Sequence, residues 1–334
     1  MKLKRLTALL LSVMMVLSLA ACGGGGDTKD DSASGDLSGK TIIIGNITPV
    51  TGAQAAYGLA ITNSIQLAID EINAAGGILG ATVKLSTKDD QGTPAEAVSG
   101  FNSLLSEGAS AIIGATLSSC TSAITSLADD EGIVLVTPSS TADSITTKDD
   151  YVFRSCFKDS FQGEMVAAYA KDQGWTKAAV LYATGDTYSS GLHDSFVKAA
   201  EKYGIEIVCE QSSSDTGAVD FSSQLATIAA SGADMLFAPY YYDAVGPKII
   251  PQAREAGFKG AIMGCDGFDG TQDYTTGDLS AYENVYFTNH YSPEDSSEIV
   301  QNYVKNYTAK YGSESMNALG ALAYDAMYMV KQAI

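Results

Sequence analysis

The chain alternates short, almost continuous apolar runs with longer segments whose apolar residues recur at helical spacing. The first run, residues 41–47, is typical of a strand buried on both faces of a sheet. After it, Ile61, Ile65, Ile69 and Ile72 follow a helical period, and Gly76 marks the end of that helix. This pair of elements is the unit that the rest of the chain repeats.

The same cycle predicts a series of further strands with helices between them. These strands are expected at residues 81–87, 111–115, 133–137, 178–182, 205–209, 235–238, 261–264 and 284–288. Thr93 and Pro94 open one helix with a capping-box pattern. A final helix is expected at residues 317–334, with Ala318, Leu322, Ala326 and Met329 on one stripe. Alternating strands and helices predict an α/β fold with parallel central sheets and helices on both faces.

The first 39 residues differ from the rest. Residues 1–21 combine a basic start with a short apolar run, as a secretory signal does, and that run is shorter than the roughly 20 residues of a membrane-spanning helix. Cys22 follows Ala20 and Ala21, a pattern similar to the bacterial lipobox, in which the cysteine is acylated. Residues 22–39 are rich in Gly, Ser and Asp, as in a flexible tether. The alternative is an ordinary signal peptide with a chance cysteine.

The remaining chain is long enough for two lobes. We expect lobe 1 at residues 40–156 and lobe 2 at residues 157–285, with a pause in the repeats near residues 153–159. Residues 286–334 are expected to return to lobe 1.

Charge and cysteine content narrow the functional classes. The net charge of −19 argues against nucleic-acid binding, which requires clustered Lys and Arg. The cysteines after Cys22, at positions 120, 156, 209 and 265, have spacings that fit no metal-binding pattern. Disulfide pairing between them and free thiols both remain open. No metal or cofactor is expected.

Polar residues follow the predicted strands of the first lobe. Ligands of open parallel sheets bind beyond the carboxyl ends of the strands. Ser118 and Ser119 follow one strand and precede a helix, so they either bind an anion or cap that helix. Ser139 and Thr141 form a second hydroxyl-rich turn after the next strand.

The second lobe places aromatic and acidic residues at the equivalent positions. Tyr188, Tyr241 and Asp266 each follow a strand, and Tyr57 lies just past the first strand of lobe 1. If the two lobes face each other, this combination suits a small zwitterion with its ammonium near Asp266. For each tyrosine, plain packing is the alternative.

Several segments together are similar to the leucine/isoleucine/valine-binding family of extracellular solute receptors for ABC importers. The segments are residues 70–78, Asp89 and Asp90, Ile113 and Gly114 with Ser118 and Ser119, residues 130–133, residues 137–141, Tyr188 with Gly191, residues 252–257 and residues 323–326. The resemblance implies the type I periplasmic-binding-protein fold, with two Rossmann-like lobes joined by a multi-strand hinge of three chain crossings.

The resemblance also implies roles for single residues. The ligand carboxylate would meet Ser118, and the ammonium would meet Ser139 through its carbonyl, Thr141 through its hydroxyl and Asp266. Tyr57, Tyr188 and Tyr241 would close over the ligand, although Tyr240 or Tyr242 could take the place of Tyr241. Known members carry Glu where this chain has Asp266. They also have a disulfide at the positions of Gly92 and Leu117, which is therefore absent here.

The function expected from this resemblance is capture of an amino acid, by default a branched aliphatic one, and its delivery to an ABC permease. The protein is expected to be a monomer, lipid-anchored through Cys22 outside the cytoplasm. Relatives continue past the final helix, so the chain's C-terminal part is expected to be truncated.

Two alternatives come from other classes of protein. One is a ligand-sensing receptor for another small amino acid or amide. The other is an α/β enzyme, but no dinucleotide, nucleophile-elbow or phosphate-loop motif is present. His193 and His290 are interpreted as surface residues rather than catalytic bases.

Overall fold

The structure is a computed structural model that describes residues 35–147 and 151–334. The predicted signal segment, Cys22 and the tether up to residue 34 lie outside the described residues. The first lobe consists of the following elements: β1 (Thr41–Thr48), α1 (Ala55–Ala74), β2 (Thr82–Asp89), α2 (Pro94–Ser106), β3 (Ala111–Ile113), α3 (Ser118–Ser122), α4 (Thr125–Glu131), β4 (Leu135–Thr137) and β5 (Val152–Arg154).

The described strands of the first lobe form one parallel sheet in the order β2-β1-β3-β4-β5. Ile44 and Ile112 of this sheet are fully buried, as are Ile61 and Phe101 of the helices packed against it. Burial on both faces explains why these strands are continuous apolar runs rather than alternating ones. Thr93 caps α2 as predicted, since its hydroxyl accepts a hydrogen bond from the Glu96 N–H.

The second lobe repeats the architecture. Its elements are α5 (Asp159–Asp172), β6 (Lys177–Ala183), α6 (Thr187–Tyr203), β7 (Glu206–Ser213), α7 (Ser222–Ala230), β8 (Met235–Phe237), α8 (Tyr242–Ala244), α9 (Ile250–Glu255), β9 (Ala261–Gly264) and β10 (Val285–Phe287). The described strands are parallel in the order β10-β9-β8-β6-β7. This sheet reaches Phe287, two residues past the boundary expected at 285.

Each sheet has a point at which the strand order reverses, between β1 and β3 in the first lobe and between β6 and β8 in the second. The connections leaving neighbouring strands diverge there, which opens a crevice at the carboxyl ends of the strands. The loops that follow β1, β3, β4, β6, β8 and β9 therefore form the part of each lobe best placed to bind a ligand.

The last two helices return to the first lobe. These are α10 (Glu298–Tyr311) and α11 (Ala318–Ala333), and both pack against α1. The Ser64 and Tyr303 hydroxyls form a buried hydrogen bond of 2.9 Å between α1 and α10. Within the described residues the chain thus passes between the lobes after β5 and again after β10.

The pause expected near residues 153–159 is where the chain leaves β5 at Arg154 and enters α5 at Asp159. β5 itself was not predicted, because a three-residue strand is too short to show a period in the sequence. One local prediction was wrong. On α11, Met329 is 40% exposed, whereas Leu319, Ala323, Met327 and Val330 are buried together with Ala326. The buried stripe is therefore rotated relative to the predicted one, because α1 covers the helix from one side. None of the helices in the described part of the chain is long and apolar enough to cross a membrane.

Candidate functional site

One small cavity lies between the loops of the two lobes. It is lined by Tyr57, Thr116, Leu117, Ser118, Ser139, Tyr188, Tyr241, Asp266, Gly267 and Leu319. Its volume is about 10 Å³, roughly the space of one water molecule, so the two lobes lie almost in contact here. Six of the seven predicted ligand-binding residues line this cavity. The seventh, Thr141, is fully buried but is not part of the lining.

The first lobe contributes two hydroxyl-rich loops that are bonded to each other. Ser139 donates from its hydroxyl to the Thr116 carbonyl at 2.8 Å, and the Ser118 hydroxyl accepts from the Ala142 N–H at 3.4 Å. Helix α3 starts at Ser118 with Leu117 as its N-cap, and no side chain caps it. The capping alternative for Ser118 therefore does not describe this loop. Because its hydroxyl accepts the Ala142 bond, its proton is available for a ligand.

Arg154, at the end of β5, holds the second of these loops in place. Its guanidinium donates to the carbonyls of Ser140, Thr141 and Ala142 at 3.0, 2.9 and 2.8 Å. Five fixed donors make arginine suited to such a convergent set of carbonyls. Arg154 was not among the predicted site residues, because β5 itself was not predicted.

Three tyrosines enclose the cavity, and the structure distinguishes Tyr241 from its neighbours. The rings of Tyr188 and Tyr241 stack at 5.0 Å, and Tyr57 meets Tyr241 edge-on at 6.4 Å. Tyr240 instead bonds to Ser213 at 2.8 Å, and the Tyr242 hydroxyl donates to the Ala53 carbonyl at 2.9 Å. Of the three consecutive tyrosines, Tyr241 is the one that faces the cavity.

Asp266 is the acidic residue of the lining and is only 3% exposed. Its Oδ1 accepts from Gln162 Nε2 at 2.8 Å and from the Tyr188 hydroxyl at 3.0 Å. Its Oδ2 lies 3.3 Å from His290 Nε2. A side chain at Gly267 would place its Cβ 2.7 Å from the Tyr188 hydroxyl, so only glycine permits this approach.

The interpretation of His290 as a surface residue was wrong. Its side chain is 3% exposed, and its ring stacks on Phe157 with centroids 3.7 Å apart. His193 is also largely covered, with 13% of its side chain exposed between Glu210 and Asp194. The sequence does not reveal these surroundings, because Phe157 and Glu210 are distant along the chain from the histidines that they contact.

The polar atoms around the cavity are incompletely paired. The hydroxyls of Thr141 and Tyr241 and the Oδ2 of Asp159 are buried and make no hydrogen bond to a described residue, although Asp159 and Asp186 respectively lie near the two hydroxyls. Buried polar groups without partners are uncommon in folded proteins, so these atoms are candidates for contact with a ligand. Burial, and next the charge of Asp266, raise the pKa of Tyr57 and Tyr188, which keeps both phenols neutral.

The described cysteines and acidic residues outside the cavity form neither a disulfide nor a metal-binding site. Cys120, Cys156, Cys209 and Cys265 are all free, and burial raises the pKa of Cys156 to about 12. Among the described residues, no group of three or more His, Cys, Asp or Glu could hold a metal ion. Larger depressions do occur, one lined by Glu164, Asp194 and Lys198 and another by Met165, Tyr169 and Tyr286, but they are more open to solvent.

Two parallel α/β lobes that enclose a small polar cavity at the carboxyl ends of both sheets define a two-lobed solute-binding protein. The chain belongs to the periplasmic binding protein family, whose model matches residues 41–334. The expected resemblance and fold class are thereby confirmed. The family and the relatives found are solute-binding proteins rather than enzymes, and membership implies a location outside the cytoplasm.

Individual relatives agree with this assignment. A solved structure of the leucine-binding protein LivK from Thermotoga maritima has a TM-score of 0.81 and 32% identity, covering 88% of this chain and 82% of that one. The substrate-binding protein LivJ from Streptococcus pneumoniae, solved with isoleucine, has a TM-score of 0.80 and 33% identity, covering 88% and 84%. A Leu/Ile/Val-binding protein homolog from Brucella melitensis is 32% identical over 250 residues, which are 74% of this chain and 67% of the relative.

Proposed function

We propose that this protein binds a small α-amino acid between its lobes and serves an ABC importer as its substrate-binding component. The observation that carries the proposal is the Asp266 carboxylate, which lines a small cavity between the lobes and is only 3% exposed. Gln162 and Tyr188 already donate hydrogen bonds to this carboxylate, and the ammonium of the ligand would add the cation that favours a buried carboxylate.

The opposite end of the cavity suits the remaining parts of such a ligand. The Ser118 hydroxyl can donate to a carboxylate, and Leu117 and Leu319 add apolar surface to the lining. We infer a branched aliphatic amino acid, and the relatives that bear leucine and isoleucine in their names agree with that choice. The seven proposed ligand-binding residues are Tyr57, Ser118, Ser139, Thr141, Tyr188, Tyr241 and Asp266.

Lobe closure is the proposed mechanism. In this structure the lobes are joined by a hydrogen bond of 2.6 Å from the Tyr57 hydroxyl to the Gly267 carbonyl and one of 2.9 Å from Gln54 to Asp243. A ligand that touches both lobes stabilises the closed form by its differential affinity for that form.

A thermal-shift and calorimetric screen of residues 37–334 against the twenty amino acids tests this function. Leucine, isoleucine or valine should raise the melting temperature, since a ligand at 100 times its Kd stabilises by about 2.7 kcal/mol. The matched controls are isopentylamine and 4-methylpentanoate, each of which lacks one charged group. A screen in which no amino acid shifts the transition would contradict the proposal.

We further propose that Cys22 is acylated and that the following tether holds the binding domain near the outer face of the membrane, where it meets the permease. The support is the sequence pattern of residues 1–39. Cys22→Ala should move the protein from the membrane fraction to the soluble fraction, as measured by fractionation and by mass spectrometry of the N-terminus. An unacylated wild-type N-terminus would contradict the anchor and leave the binding function untouched.

A further inference from the structure

His290 lies where the chain passes back to the first lobe, and it reaches Asp266 from there. It follows β10, and its ring stacks on Phe157 in the link between β5 and α5, with centroids 3.7 Å apart. Its Nε2 is 3.3 Å from Asp266 Oδ2, whereas Oδ1 is the oxygen that accepts from Gln162 and Tyr188. The carboxylate is therefore held from one side by the second lobe and from the other by a residue of the hinge.

The residues just before His290 give its ring a fixed place. The His290 N–H donates to the side-chain oxygen of Asn289 at 2.8 Å, and Asn289 donates to Asp269 at 3.1 Å. The Thr288 hydroxyl donates to the side-chain carbonyl of Gln162 at 2.8 Å. Since Gln162 is itself bonded to the acid of the cavity, three consecutive residues are tied to the segment around that acid.

The protonation state of His290 decides what it does for Asp266. An ionised carboxylate only accepts hydrogen bonds, so a neutral imidazole at this distance donates its Nε2–H to Oδ2. That bond orients the carboxylate and leaves its negative charge for a ligand. A protonated imidazole is instead a cation in contact with the same oxygen, and a second cation placed beside it is repelled. The proton on His290 and the ammonium of a ligand therefore compete for one carboxylate.

Other acids surround this pair, and no second cation is placed to offset them. The acids are Asp159, Asp269 and Asp325, and burial raises the pKa of each. Arg154 opposes the rise in the pKa of Asp159, but its guanidinium is directed at three backbone carbonyls. Within the described residues, no lysine or arginine lines the cavity or the depression beside His290. The cation that meets Asp266 is thus either protonated His290 or the ligand.

The remaining titratable neighbours are thiols and phenols. These are Cys156, Cys265, Tyr188, Tyr291, Tyr303 and Tyr324. Burial raises the pKa of each of them, which keeps them uncharged at neutral pH. His290 is the neighbour of Asp266 that can become a cation between about pH 5 and 8, the range in which histidine side chains usually change charge.

We propose that His290 is a positioning residue for Asp266: when neutral it turns the carboxylate towards the ligand's ammonium, and when protonated it takes the place of that ammonium. The inference rests on the proposed amino-acid function and deepens it, because it makes capture of the amino acid depend on the pH outside the cell. As the ammonium arrives at acidic pH, the proton on His290 leaves to solvent.

Calorimetry of L-leucine with the wild-type protein is the first test. Leucine keeps both of its charges between about pH 5.5 and 7.5, so a change in affinity over this range reports on the protein. The affinity should rise by about fivefold or more from the lower to the upper pH, and buffers of different ionisation enthalpy should show proton release near pH 6. An affinity that stays constant over this range would overturn the proposal.

Three variants separate a positioning role from a merely structural one. His290→Ala removes the donor and should bind leucine about tenfold more weakly than wild type near pH 7.5. His290→Gln keeps a donor near the position of Nε2 but cannot gain a charge. It should recover most of the affinity that His290→Ala loses and show no pH dependence. His193→Gln is the matched control, because it changes the other histidine of the chain, which contacts Glu210 outside the cavity, and it should keep the wild-type profile.

NMR follows His290 without changing it. In untagged His193→Gln a single histidine remains, so its ring-proton signal reports on His290. Near pH 6, leucine should move that signal towards its position at high pH. This result decides even if the His290 variants do not fold, since a signal that leucine leaves unchanged would overturn the proposal. A folded His290→Gln variant with the wild-type pH profile would overturn it as well. No binding of any amino acid at any pH would contradict the proposed function itself, and the role of His290 would fall with it.

Discussion

The two lobes supply different kinds of polar group to the cavity. The first lobe supplies hydroxyls from two loops that are bonded to each other and held by Arg154, and these loops bring no carboxylate to the cavity lining. The second lobe supplies Asp266, buried with Gln162, Tyr188 and His290 around it. The first lobe thus supplies neutral hydroxyl groups, and the second lobe supplies a carboxylate. For the zwitterionic ligand that we propose, this difference between the lobes favours one orientation.

The largest effect should come from removing the charge on the second lobe. Asp266→Asn keeps the shape of the side chain, but truncating one partner of a buried charge pair costs about 2–5 kcal/mol. The Kd for leucine should therefore rise by roughly thirty-fold to several thousand-fold. Calorimetry measures this, with exposed Asp273→Asn as the control. An affinity within threefold of wild type would place the ammonium elsewhere, with Asp186, Asp243 and Asp269 the next candidates.

The first lobe also contains a buried acid, Asp90, which does not line the cavity. Its ionisation should therefore affect the stability of the fold and not the binding of a ligand, in contrast to Asp266. Asp90 is fully buried, and burial raises its pKa to about 6. A raised folded-state pKa means that the carboxyl stabilises the fold at low pH and that this contribution is lost as the pH rises through 6.

Asp90→Asn should therefore be more stable than wild type at pH 8, by at most about 3 kcal/mol for a shift of about two pKa units. The difference should shrink through pH 6 and be gone near pH 4. Urea unfolding at several pH values measures it, and leucine affinity should not change. Parallel stability curves for the two proteins would show that Asp90 ionises freely in the folded state.

The smallest expected effect comes from a change in the hydroxyl-rich loops of the first lobe. Ser118→Ala should weaken leucine binding by about 1.5–3 kcal/mol, the contribution of a hydrogen bond to a charged group. Stability in the absence of ligand should fall less, since the bond that Ser118 accepts from Ala142 is long at 3.4 Å. Ser122→Ala, at the exposed end of α3, is the control. A lower melting temperature with unchanged affinity would mean that Ser118 only supports the loop.

The sequence predicted the features that depend on residues close together along the chain. Strand–helix alternation predicted both sheets, and the rule that ligands lie beyond strand ends directed attention to six residues of the cavity lining. Asp159 and Gln162 were missed because β5, the strand that precedes them, was not predicted. His290 follows β10 by three residues but was interpreted as a surface residue. Gln162 and Asp266 are 104 positions apart, and no periodicity connects side chains over such a distance.

The short link between β5 and α5 has a consequence for the order of events in binding. It connects Arg154, which fixes the hydroxyl loop, to Asp159, whose N–H is bonded to that loop at 2.9 Å. Residues near a hinge move least when two lobes move apart, so we expect this hydrogen bond to persist in an open form while the tyrosines of the two lobes separate. If the lobes close around the proposed ligand, the hydroxyl loop is therefore already in its final position before the tyrosines of the two lobes come together.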